Sequence, residues 1–255
     1  MPIRRRQKSS SGYYHVIVKG INKEKIFNQQ REKIQFKSII LKQLPKFQIG
    51  IYSYCIMSNH AHFIIWAELS DLSRFMSMIL AEYASYYNFK HNRNGHVFQN
   101  RFVSECIEDE GYFWSCLRYI HLNPVKAQMV KRPELYKYSS MGEYVFHTPI
   151  MIHENAFEVL KMRFSTDDEF VEFHHAKQME VFRDIKEEVN LQQEETAYNL
   201  AEELQKMKKL PLVCQIVEEK NHREEYIDVL MKKLKISKTK AIKLCLKIKN
   251  RIENE

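Results

Sequence analysis

Glycine and proline are scarce in this chain, six of each in 255 residues, which excludes collagen-like and low-complexity classes. Cysteine is sparse and scattered. The five thiols stand at 55, 106, 116, 214 and 245, odd in number and never as Cys-x-x-Cys, which argues against a disulfide framework and a zinc ribbon and suits a reducing cytoplasm. No apolar run approaches the length of a membrane span. The basic start, Arg4-Arg5-Arg6, is followed by no apolar stretch of the secretory kind. No glycine-rich phosphate loop is present, so no nucleotide cofactor is expected. What remains is a chain that is 44% hydrophobic, ample for a buried core, with a net charge of +8. That balance favours a polyanion as partner, nucleic acid first.

Apolar, β-branched and aromatic runs predict strands over Tyr13 to Lys19, Phe47 to Met57, His60 to Ala67 and Val97 to Ile107. Helical periodicity covers Gln30 to Leu44, closed by Pro45, and Asp71 to His91, with Asp71 or Ser70 as cap. A further helix runs from Glu110 to Val130, interrupted at Pro124. The order β-α-β-β-α-β is the split βαβ, ferredoxin-like pattern. The expected class is therefore α+β: an antiparallel sheet with helices on one face, followed by a mainly helical C-terminal region. Tyr136, Tyr138 and Tyr144 lie in a segment expected to wrap back over the core. The expected division is 1–148 for the sheet domain and 149–255 for the helical region. Helices are expected at Glu154 to Phe164, Asp167 to Asn190, Gln192 to Lys208 and Arg223 to Asn250. Within 223–252, two helices flank Lys235-Ile236-Ser237, with Ser237 as N-cap. They read either as a DNA-binding helix-turn-helix or as an ordinary amphipathic hairpin with a solvated basic face.

Two constellations carry chemistry. In the first, two aromatic-rich runs flank Ser58-Asn59, and His60 and His62 follow with Ala61 between them. Residues two apart on a strand share a face, so both imidazoles project together. Such a pair either holds a metal or is a surface accident. In the second, Tyr119 and Asn123 stand four apart, on one face of a helix. Pro124 pushes Asn123 away from helical geometry, so a core tyrosine with a capping asparagine is the competing reading.

Together these residues resemble the single-tyrosine HUH transposases, most closely the REP-associated tyrosine transposase branch. His60-Ala61-His62 matches His-hydrophobic-His, and Tyr119-Ile120-His121-Leu122-Asn123-Pro124 matches Tyr-Ile-x-x-Asn-Pro. Gly95 to Phe102 and Tyr13-Tyr14-His15-Val16 resemble the same branch, so the likeness spans roughly residues 10 to 146. Ser58 stands where the family tends to have Pro, and Gln128 where Gly is common after the helix.

The resemblance implies an enzyme that cleaves and rejoins single-stranded or hairpin DNA. Tyr119 would be the nucleophile, giving a 5′-phosphotyrosine and a free 3′-OH. His60, His62 and Asn123 would hold Mg²⁺ or Mn²⁺, the two imidazoles making Mn²⁺ at least as suitable. The base that takes the phenolic proton is unassigned. DNA would be gripped electrostatically by Arg4, Arg5, Arg6, Lys90, Arg93, Arg101, Arg118 and Lys126. The expected setting is the cytoplasm, at the nucleoid, with the oligomeric state open between monomer and homodimer. A non-catalytic DNA-binding or regulatory protein on the same fold is the alternative. A replication initiator or plasmid relaxase ranks below both.

Overall fold

The structure is a computed structural model that describes residues 6–176, 181–182 and 186–253. It divides into two compact units, Met1–His175 and Ala176–Glu255.

In the first unit the strands are β1 (Tyr13–Lys19), β2 (Ile49–Ile56), β3 (His60–Ala67) and β4 (Val103–Ile107). They form one antiparallel sheet in the order β2-β3-β1-β4, the split βαβ arrangement that the element order predicts. β3 lies inside, between β2 and β1, and is buried along its length except at Trp66. The register pairs Ile17 with His62 and Lys19 with His60, and Glu105 of β4 with His15. A bulge between Ile51 and Ser53 inserts Tyr52 into β2.

α1 (Gln30–Gln43) starts on a capping box, with the Gln29 amide donating to Glu32 Oε2 at 2.7 Å. α2 (Leu69–Lys90) buries the expected stripe from Leu72 to Tyr87. Its N-cap is Glu68, so the expected caps Ser70 and Asp71 lie inside the first turn, where Asp71 instead pairs with Arg74. α1 meets the sheet face opposite the histidines, with Phe36 centred 6.4 Å from Phe63 of β3, and α2 packs on α1. α3 (Glu110–Lys126) lies on the other face, an addition to the expected layer. Its cap is Asp109, whose carboxylate accepts the Tyr112 N–H at 2.7 Å.

β4 is shorter than the expected Val97 to Ile107 strand. Phe98 makes only an isolated bridge with Gly20, and Gln99 N–H donates to the Lys19 carbonyl at 2.9 Å, before regular pairing starts at Val103.

The segment after α3 does wrap back. It closes the outer edge of β2: Ile56 N–H donates to Tyr138 O at 2.9 Å, Ser140 N–H to Tyr54 O at 2.9 Å, and His153 N–H to Ile51 O at 2.7 Å. Glu143, in the short α4 (Met141–Val145), accepts the N–H groups of Ile150, Met151 and Ile152 at 2.8, 2.9 and 3.1 Å. α5 (Asn155–Arg163) and α6 (Asp167–Phe173) follow. Phe170 is buried against Tyr144, and His174 bonds His121 of α3. These contacts carry the compact unit to His175, beyond the expected boundary at 148.

The second unit holds α7 (Lys186–Met207), α8 (Cys214–Glu218), α9 (Lys220–Leu234) and α10 (Lys238–Glu253). α7 runs through the position where a break was expected near residue 191. The break at Lys235-Ile236-Ser237 is present. Leu200, Leu204, Ile216, Tyr226, Leu230 and Leu244 are among the residues of its core.

Candidate active site

The site is built on the face of the sheet that α3 covers. Strand periodicity turns His60 and His62 of β3 to this face, and the antiparallel register brings His15 of β1 beside them. All three imidazoles are buried: His15 and His62 are 0% exposed and His60 1%. His15 Nε2 lies 3.1 Å from His62 Nδ1, and the His60 and His62 rings meet edge to face at 4.8 Å. His60 Nδ1 lies 2.7 Å from Asn59 Oδ1. An amide oxygen only accepts, so this bond places the proton on Nδ1 and the lone pair on Nε2. Burial pushes the pKa of His62 down to about 3, so the ring is neutral near pH 7, the form that ligates.

α3 brings its own groups down on this face. The Tyr119 ring is 5.5 Å from that of His62 and 6.3 Å from that of His15, both edge to face. Asn123 lies inside the helix, because Pro124 sits in its last turn and Ala127 N–H still closes on Asn123 O at 3.0 Å. Tyr119 and Asn123 therefore do share a helix face. The Asn123 amide nitrogen donates to the Tyr119 carbonyl at 2.9 Å, which leaves Oδ1 as the atom with ligand character. Lys126 Nζ stands 5.6 Å from the Tyr119 ring centre.

Among the described residues, no group of three or more His, Cys, Asp and Glu side chains is placed to hold a metal ion. Two imidazoles with an amide oxygen lie outside that class. Their chemistry fits a divalent cation: neutral rings, one with its tautomer set by Asn59, and one carboxamide oxygen.

His121 points away from this cluster. Its Nδ1 meets His174 Nε2 at 2.9 Å and its Nε2 meets Ser140 Oγ at 2.8 Å. His174 Nδ1 in turn donates to the Phe170 carbonyl at 2.8 Å. Burial holds the pKa of His121 well below its ordinary value and that of His174 at about 4.

The basic residues separate. Arg4 and Arg5 lie outside the described residues. Lys90 bonds Glu32 at 2.5 Å and Gln29 at 3.0 Å, and Arg93 is paired with Glu24. Arg118 is buried, its guanidinium 4.8 Å from the Phe173 ring centre. All three are engaged with other groups of the protein. Arg6 covers the Phe102 ring at 3.7 Å, and burial lowers its pKa. Arg101 is exposed beside a groove of about 370 Å³ lined also by Ile21, Leu80 and Phe98. That segment hydrogen-bonds Lys19, the register partner of His60, so the groove adjoins the His60 end of the sheet.

His15 had no role assigned from the sequence. Its signal was there, on the same strand face as Tyr13 and Ile17, but only the β1–β3 register shows that this face meets His62.

Residues 8–123 match the model of the family described as "Transposase IS200 like". The matched stretch contains His60-Ala61-His62 and Tyr119 to Asn123, and the match agrees with the resemblance read from those motifs. Among solved structures, a REP-associated tyrosine transposase bound to a REP hairpin is similar, at 20% identity and a TM-score of 0.47, over 61% of this chain and 93% of that one. No curated protein matches the chain. Among the described residues, no helix is long and apolar enough to cross a membrane.

Proposed function

We propose that the sheet unit cleaves and rejoins single-stranded DNA, held as a hairpin, through a 5′-phosphotyrosine on Tyr119. The observation that carries this reading is the convergence of Tyr119 on the His60–His62 face, its ring 5.5 Å from that of His62. His60, His62 and the Asn123 amide oxygen would hold Mg²⁺ or Mn²⁺, which when bound supplies Lewis-acid neutralisation of the phosphate charge. Tyr119 Oη forms the bond to phosphorus, and the bond from phosphorus to the 3′ oxygen breaks. The phenolic proton is lost and a proton is gained by the 3′ oxygen, so the products are a phosphotyrosine diester and a free 3′-OH. Rejoining reverses these steps and needs no nucleotide, since the diester keeps the energy of the broken bond. Arg6, Arg101 and Lys126 are the described cations assigned to the DNA phosphates, with Arg4 and Arg5.

The second reading, DNA binding without cleavage, is favoured by one observation. Tyr119 is only 2% exposed, so a phosphate reaches Oη only after a local rearrangement. A single experiment separates the two. The protein is incubated with Mn²⁺ and an end-labelled hairpin from its own flanking DNA, and adducts are resolved on a denaturing gel. A labelled adduct is expected from the wild type and none from Tyr119→Phe, which keeps the ring and loses the oxygen. An adduct that survives the substitution assigns the chemistry to another tyrosine. No adduct from the wild type supports the non-catalytic reading.

A further inference from the structure

α9 and α10 are joined by a short, defined turn. Lys235 closes α9 in the left-handed region, at φ 51 and ψ 46, and Ser237 Oγ accepts the Lys240 N–H at 3.4 Å to open α10. α8, α9 and α10 each pack against the other two. α7 packs against all three, and the side of α10 carrying Ala241, Leu244, Cys245 and Ile248 is buried in this four-helix arrangement. Its other side is strongly basic. The helix holds six Lys and Arg against one Glu. Lys247 pairs with Glu194 and Lys249 with Glu253, whereas among the described residues no carboxylate pairs with Lys238, Lys240 or Lys243, all exposed. The uncompensated charge is thus concentrated at the start of the helix.

We propose that α10 docks in the major groove of duplex DNA, making the helical unit a duplex-binding module in addition to the single-strand site of the sheet unit. Three observations favour this partner. Lys238, Lys240 and Lys243 stand exposed on a helix that is about 10–12 Å across with its side chains, a width that a major groove of about 12 Å admits. α10 contains no aromatic residue, and single-strand platforms rely on aromatic stacking. A membrane-surface helix needs a free apolar face, but here that face is buried in the unit and only Ile242 and Leu246 stand exposed among the lysines. In a major groove, those two side chains are suited to thymine methyl groups. The inference does not depend on Tyr119 chemistry, and a chain that forms no adduct would still show it.

The test uses the full chain in fluorescence anisotropy against a mixed-sequence duplex, the corresponding single strand, and phosphatidylserine vesicles, each over a salt series. One variant combines Lys238→Gln, Lys240→Gln and Lys243→Gln, and a second places Arg at the same positions. For the Gln variant, the slope of log affinity against log salt on the duplex should fall by up to about 2.7, since each lost phosphate contact removes about 0.9. Single-strand binding and adduct formation should be unchanged, and the Arg variant should bind duplex as the wild type does. Circular dichroism checks that both variants fold. An unchanged duplex slope, or equal losses on duplex and single strand, would overturn the proposal. So would vesicle binding that the Gln variant loses while duplex binding persists.

Discussion

His15 Nε2 and His62 Nδ1 lie 3.1 Å apart, with the two rings stacked at 20° and 5.3 Å between centres. The bond ties the ring of a β3 residue to the neighbouring strand β1, so the sheet itself sets how His62 faces Tyr119. Partners of this kind orient a ligating imidazole, and their loss typically weakens metal binding by about 10- to 100-fold. His15→Ala should lower Mn²⁺ affinity by that order in calorimetry while the fold melts as a single unit. His15→Gln, which restores a hydrogen-bonding group, should recover part of it. Unchanged affinity in His15→Ala would reduce His15 to a space-filling role.

Stability should depend on pH through the buried pair His121–His174. Both rings are neutral in the folded protein, with His174 at about 4 against an ordinary 6.5. Between those values the unfolded chain binds the proton that the native ring refuses. Stability is therefore complete above pH 6.5 and falls as the pH drops toward 4, by roughly 3 kcal/mol for His174 alone at 1.36 kcal/mol per unit. His62, held at about 3, acts with the same sign. Urea midpoints between pH 7.5 and 4.5 measure the slope, and His174→Asn should flatten part of it. A flat profile in the wild type would show that the rings take up protons without unfolding.

Gln128 occupies the left-handed region at φ 55, where α3 ends through bonds from Gln128 N–H to Val125 O and Met129 N–H to Pro124 O, both 2.9 Å. A side chain there costs about 1–2 kcal/mol that glycine avoids, offset in part by the greater freedom of glycine in the unfolded chain. Gln128→Gly should raise stability by about 0.5–1 kcal/mol in urea unfolding. No gain would mean that contacts of the Gln128 side chain outweigh the backbone strain.

Single-strand binding should weaken with salt through few residues. Replacing both Arg101 and Lys126 by Gln should reduce the slope of log affinity against log salt by about 1.4, at 0.7 per phosphate. Lys90→Gln should leave the slope unchanged, because its ammonium is held by Glu32 and Gln29. A loss of slope in Lys90→Gln would show that this ion pair opens to meet DNA.

The parts of this site that were legible in the sequence are those set by local periodicity. Period two along β3 put His60 and His62 on one face, and helical spacing put Tyr119 and Asn123 on another. Pro124 argued for an earlier helix end, yet it sits in the last turn, where it forfeits one bond, to the Ile120 carbonyl, and the helix still closes with Ala127 N–H on Asn123 O. What depends on pairing at long sequence separation was not legible. The partnership of His15 with His62 needs the β1–β3 register, and the engagement of Lys90 and Arg93 needs the fold of residues 24–32 beside α2. Composition counted those two as surface charge because it cannot see where the carboxylates fall. The start of β4 was misplaced for a related reason: Val97 and Phe98 read as strand, but their backbones turn to Ile21 and Gly20 rather than continuing the ladder.

The crossing of residues 138–153 over β2 bears on how this protein avoids adhering to itself. An open strand edge is a template for another chain, and here Tyr138, Ser140 and His153 already occupy the ladder positions beside Ile56, Tyr54 and Ile51. A fragment cut at 148 would lose the Ile51 bond, and with it the three amides that hold Glu143 in place. Such a fragment would keep Tyr138 and Ser140 on the edge but uncover its Ile51 end, whereas one ending at 175 keeps that end covered. His153 thus completes a cover that Tyr138 and Ser140 begin, leaving less of β2 open as a template for another strand.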